Sequence, residues 1–137
     1  MPRSLSPERK AALFDAALKL FAENGAANTL TADIAREAGV AAGTLFLYFP
    51  TKQALINELM LKLAREQAER VTALLDPRLS ARESFSAIWN TTLNWFQENP
   101  HAFLYIQQMR DSILITPETV EESNRTFAYY YLSLIYI

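Results

Sequence analysis

Residues 29–52 read TLTADIAREAGVAAGTLFLYFPTK, and this stretch decides the fold. Ile34, Ala35 and Ala38 recur at helical spacing behind Thr29 and Thr31, either of which can cap a helix start, and the run stops at Gly39. Shortly after, Ala42 to Phe49 offers a second short helix with Leu45 and Phe49 turned inward, closed by Pro50. Two short helices joined across a glycine, with Val40 able to plug the core beneath the turn, fit a helix-turn-helix.

Working outward, Ser6-Pro7 supplies a cap followed by proline at the first helical position, and Leu13, Phe14, Ala17, Leu18 and Phe21 continue at helical spacing to Asn24-Gly25. Downstream, Thr51 caps a long helix whose face is Leu55, Ile56, Leu59, Leu63, Val71 and Leu74, running to about Leu75. Asp76-Pro77 marks a linker, and Phe85, Ile88, Trp89, Leu93 and Phe96 mark a fifth helix ending near Asn99-Pro100. A sixth is expected over Phe103 to Leu114. Thr116-Pro117 opens a seventh carrying Val120, Phe127, Tyr131 and Ile135. Alternating apolar and polar runs bounded by hairpin turns are missing, and three glycines leave little to build such turns. The expectation is an all-α chain, with a helix-turn-helix domain over 1–52 and a helical domain over 53–137.

Half the residues are apolar and a fifth charged, the balance of a chain that folds around a core. Without cysteine there is neither disulfide nor thiolate metal site, so a zinc finger and thiol redox chemistry are excluded. The opening lacks the apolar run of a signal peptide and no run is long enough to span a bilayer, which places the protein in the cytoplasm. The Asn90 and Asn124 sequons fall in helical-looking segments and are read as chance. P-loop, dinucleotide, nucleophile-elbow and zincin motifs are lacking, and a lone His101 beside Pro100 suits a capping or solvent-facing role better than catalysis or metal binding. No cofactor is expected. Net charge is −2, unhelpful for phosphate binding; residues 1–52 carry six Lys and Arg against five acids, a weak bias of the right sign.

Three blocks in order, ALKLFAENG (17–25), TLTADIAREAGV (29–40) and GTLFLYFPTK (43–52) with Gln53-Ala54-Leu55 behind it, resemble the DNA-binding domain of the TetR family of bacterial transcriptional repressors. The resemblance implies a homodimer on a palindromic double-stranded operator, released by a small-molecule effector held in the second domain. Family members are commonly longer and dimerise through helices nearer the C-terminus, so the expectation is either a truncated regulatory domain or a short variant that dimerises differently. Residues 56–137 match the family only in being helical, and the effector is not carried over.

On the residues themselves, Ala41, Ala42, Gly43 and Thr44 are small enough to approach base edges, with Thr44 the best polar contact. Leu47 lies on the same short helix. Thr29 and Thr31 can meet a phosphate at a helix start, and Tyr48 and Lys52 can reach the backbone from the far side. The resemblance implies phosphate contacts for that tyrosine and lysine. Ala41, Ala42, Phe46 and Leu47 depart from the serine, polar residue, tyrosine and histidine often found there, shifting reliance to Arg3, Arg9, Lys10, Arg36 and Lys52. For the effector, Phe85, Trp89, Phe96, Phe103, Tyr105 and Met109 (with Trp95 in the same cluster) can line an apolar cavity, although core packing explains each as well. Gln107, Gln108, Asn124 and Arg125 are candidate polar partners. The competing reading is a helical protein-interaction or small-molecule sensor module that no longer binds DNA.

Overall fold

The computed structural model describes residues 5–135, and the side chains of residues 5–126. Among the described residues every regular element is an α-helix: α1 (Pro7–Asn24), α2 (Thr31–Ala38), α3 (Ala42–Tyr48), α4 (Lys52–Thr72), α5 (Ala81–Glu98), α6 (Pro100–Met109) and α7 (Pro117–Ile135). Arg3 and the side chains of Phe127, Tyr131 and Ile135 lie outside the described residues. No helix among the described residues is long and apolar enough to cross a membrane.

The helix starts follow their capping chemistry. Ser6 Oγ accepts from Arg9 N at 3.2 Å, Thr51 Oγ1 from Ala54 N at 3.0 Å and Thr116 Oγ1 from Thr119 N at 3.2 Å. Each satisfies one of the N–H groups that a helix start leaves without an intrahelical partner. The start of α5 is a capping box: Glu83 N donates to Ser80 Oγ while Ser80 N donates to Glu83 Oε2.

The chain forms two compact units, one made of residues up to Leu59 with His101–Ile115, the other of Met60–Pro100 with residues from Thr116 onward. The division falls inside α4 and returns most of α6 to the first unit, whereas the sequence reading separates 1–52 from 53–137. Three long-range bonds account for the return. Tyr105 Oη donates to Ile56 O at 2.6 Å, Asn57 Nδ2 to Leu114 O at 2.9 Å and Gln108 Nε2 to Ala22 O at 3.1 Å.

In the first unit, Leu13, Ala17 and Phe21 of α1, Ile34 of α2, Leu45 of α3 and Leu55, Ile56 and Leu59 of α4 are all buried. Phe14 meets Phe49 edge to face at 5.0 Å, and Phe21 stacks on Tyr105 at 5.9 Å. Each buried phenyl contributes about 1.5–3 kcal/mol by leaving water. Val40 is only half-buried, so it edges the core rather than plugging it.

In the second unit the fifth helix forms where its periodicity predicts, but its stripe faces outward. Phe85, Trp89 and Leu93 are 60%, 57% and 44% exposed, while Ser84 and Trp95 are the buried residues of α5. Trp95 packs edge to face on Phe96 at 5.2 Å. Arg70 pairs with Glu98 at 2.7 Å and Lys62 with Glu66.

Two further boundaries differ from expectation. The fourth helix ends at Thr72, leaving Leu74 exposed. The sixth starts at Pro100 and ends at Met109, because Asp111 adopts the left-handed backbone (φ 64°) that a short polar side chain tolerates best after glycine. Val120, expected inward on α7, is exposed.

Candidate nucleic-acid interface

The turn between α2 and α3 is built by backbone chemistry. Gly39 sits at φ 76°, ψ 26°, donating its N–H to Arg36 O at 3.1 Å, while Val40 N donates to Ala35 O at 2.9 Å. This pair of bonds closes the helix end with a left-handed residue. A Cβ at Gly39 would meet nothing within 4 Å, so the glycine is required by its φ and not by crowding. Ala41 then takes extended geometry as the residue before α3, without a side-chain cap bond.

Burial divides α3 in two. Leu45 and Tyr48 face the core, Thr44 is half-buried, and Ala42, Gly43, Phe46 and Leu47 are exposed, Leu47 to 64%. A side chain at Gly43 would enter open space. Lys52, half-buried, begins α4 immediately beyond. The arrangement presents a short helix with an uncharged outer face, on which Phe46 and Leu47 stand beside the small Ala42 and Gly43, and the next helix opens on a cation.

Residues 13–59 match the family model described as bacterial regulatory proteins, tetR family. BetI, an HTH-type transcriptional regulator of Agrobacterium fabrum, is 38% identical over 101 residues, covering 73% of this chain and 49% of the relative. LuxR, an HTH-type transcriptional regulator of Vibrio harveyi, is 34% identical over 102 residues, covering 73% and 50%. A solved TetR-family transcription regulator from Shewanella sp. PV-4 superposes with a TM-score of 0.84 at 32% identity, covering 93% of this chain and 68% of that one. The chain belongs to the TetR family. It spans about half the length of the curated relatives it matches.

Within this TetR-family frame, the structure redistributes the residues singled out from the sequence. Thr29 caps nothing: it is buried, and its hydroxyl lies 2.8 Å from Gly25 O and 3.2 Å from Leu20 O, where it donates to carbonyls at the end of α1. Its hydroxyl hydrogen is therefore already engaged within the fold. Thr31 is the first residue of α2 and half-buried, and the position before it is Leu30, which makes no side-chain cap bond. Neither threonine is the expected cap.

Tyr48 is also turned inward, 9% exposed, with Ser6 N donating to its hydroxyl oxygen at 2.8 Å. That bond uses a lone pair and leaves the phenolic hydrogen to be donated elsewhere. Among the supporting cations, Lys10 lies 3.8 Å from Glu58 and over the rings of Phe14 and Phe49, and Arg36 pairs with Asp33 at 3.2 Å. These exposed pairs are weak and readily exchanged for phosphate. Arg9 is exposed.

The effector residues expected from the aromatic cluster do not act as a set. Tyr105 and Met109 are buried in the first unit, and burial pushes the Tyr105 phenol well above its ordinary pKa, so it stays a neutral donor to Ile56 O. Phe103 is exposed to 47%, and Phe85 and Trp89 stack on one another at 6.4 Å on the outward stripe of α5. Phe96 is half-buried against Trp95. Arg125 fares differently. It lines an open groove of about 830 Å³ in the second unit, with Arg65, Glu69 and Thr72 of α4 and Glu122 and Thr126 of α7. Sequence periodicity missed this groove because Arg65, Glu69 and Thr72 lie off the apolar face of α4, where charges ordinarily mean solvent. Of the other polar candidates, Gln108 Nε2 donates to Ala22 O. His101, read from the sequence as capping or solvent-facing, has Nε2 3.5 Å from Glu23 Oε1, between the start of α6 and the end of α1.

Proposed function

We propose that the protein is a DNA-binding transcriptional regulator, a repressor that binds a palindromic operator as a dimer and leaves it when a small molecule occupies the second domain. In this reading residues 1–52 hold the DNA and 53–137 are regulatory. The observation that carries it is the α2–α3 pair, with its glycine-closed turn and the uncovered outer face of α3, in a chain of a regulator family. The base-facing residues are Ala42, Gly43, Thr44 and Leu47. Thr31, Lys52 and the Tyr48 hydroxyl serve the phosphates.

The groove beside Arg125 is the proposed effector site, and α4 is the route of coupling, since it contributes residues to both compact units and its C-terminal half lines the groove. Half-sites one helical turn apart, or a multiple of it, demand a fixed spacing of recognition helices, so an effector that alters this spacing weakens binding. A differential affinity of about 1–3 kcal/mol is enough. No catalytic role is assigned.

A second reading, a protein-interaction module whose helix-turn-helix has lost DNA, is favoured by the exposed Phe46 and Leu47 and by the net charge of −2. Electrophoretic mobility separates the two. Duplex from upstream of the protein's own coding region should be retained against excess random duplex, with affinity falling steeply as salt rises. Retention that disappears with competitor, or none from a folded protein, supports the second reading.

A further inference from the structure

The outer face of α3 is unusual in what it lacks. Paired hydrogen bonds to base edges need Arg, Lys, Asn, Gln, Asp or Glu, and AGTLFLY (42–48) contains none. At 3.6 residues per turn, Ala42, Phe46, Gly43 and Leu47 fall within about 140° of arc. All four are exposed, opposite the buried Leu45 and Tyr48. Thr44 is half-buried at the edge of the arc. Two large apolar side chains, Phe46 and Leu47, are thus held toward solvent on a helix that has already buried its other large residues.

The major groove offers one apolar recognition element, the C5-methyl group of thymine. Resting on the DNA-binding reading above, we propose that α3 selects its sites chiefly by packing Leu47 and Phe46 against thymine methyl groups. Ala42 and Gly43 let the helix backbone come close to the base edges. The arc belongs to the helix-turn-helix, and the helix that follows it opens on a cation, Lys52, which suits a duplex better than an apolar protein surface. Sequence preference then takes a particular form: sites rich in thymine at the contacted positions, and indifference to changes that alter only hydrogen-bonding edges.

The test begins with selection of binding sites from a random duplex pool by the full chain. Each enriched thymine is then replaced singly by deoxyuridine, which removes the methyl and keeps the base pair. At contacted positions affinity should fall about fourfold per methyl, the equivalent of ~0.8 kcal/mol for one buried carbon. Leu47→Ala should abolish the thymine-over-uracil preference at its own position while leaving helicity, and the preference at the other contacted thymines, unchanged. A selected site bound equally well with uracil throughout would overturn the proposal and leave the DNA-binding reading standing, with hydrogen bonds or duplex shape as the source of selectivity. Failure to enrich any site would overturn both.

Discussion

Tyr48 and Thr29 show how a hydroxyl's role depends on the direction it is given. Residue type offered both to phosphate; the fold turns Thr29 onto carbonyls at the end of α1, whereas Tyr48 accepts from Ser6 N and keeps its phenolic hydrogen to donate. Replacing Tyr48 with Phe leaves Ser6 N–H without its partner and should lower stability by about 1 kcal/mol in urea unfolding. Because no charge is lost, the slope of log affinity against log salt should not change. Lys52→Ala should do the opposite, leaving stability nearly untouched and reducing that slope by about 1 on every sequence. An unaltered slope would remove Lys52 from the phosphate contacts. The small residues Ala42, Gly43 and Thr44 were legible as a smooth face, whereas the inward turn of Thr29 was not, since it depends on the path of the 25–29 link.

Among the elements, starts were easier to read than ends. Ser6-Pro7, Thr51 and Thr116-Pro117 announce their helices, and each cap is formed. The Ser80-x-x-Glu83 signature of α5 is also in the sequence, just ahead of the apolar stripe that marks the helix. Ser80→Ala should cost about 1 kcal/mol of stability. The Glu83 carboxylate accepts from Ser80 N, which chiefly holds it below its ordinary value of 4.5, with the Ser80 side chain adding to the effect. A carboxylate with a lowered folded pKa stabilises above the unfolded value and loses that contribution as pH falls through the folded one. The urea midpoint should therefore drop in acid below pH 4.5, and Glu83→Gln, which keeps a hydrogen bond but cannot titrate, should flatten part of that drop. An identical acid profile in the variant would mean that the box contributes nothing there. The end of α6 was missed because it rests on a left-handed Asp111, a conformation that aspartate permits but does not announce.

At the scale of the whole molecule, periodicity marked which residues share a face without saying what covers it. Leu13, Phe14, Ala17 and Phe21 of α1 and Leu55, Ile56, Leu59, Leu63 and Val71 of α4 are buried, while Phe85, Trp89 and Leu93 of α5 form an equally regular stripe that stands exposed. The same limit hid the groove by Arg125, which charged residues line. Family membership and the helix-turn-helix were legible from residues 17–55; the division into compact units was not, since it is set by long-range bonds from Tyr105, Asn57 and Gln108.

The central claim, that the outer face of α3 meets DNA, is tested most directly by Gly43→Glu. Position 43 is exposed, a Cβ there meets nothing within 4 Å, and an acid in the first turn of a helix is favourable, so the fold should be unharmed. Fluorescence anisotropy with duplex from upstream of the gene should show wild-type binding and a loss of about tenfold or more in the variant, the equivalent of ~1.4 kcal/mol. Equal affinity in a variant with an unchanged melting temperature would contradict the account, because α3 could not then lie against the duplex.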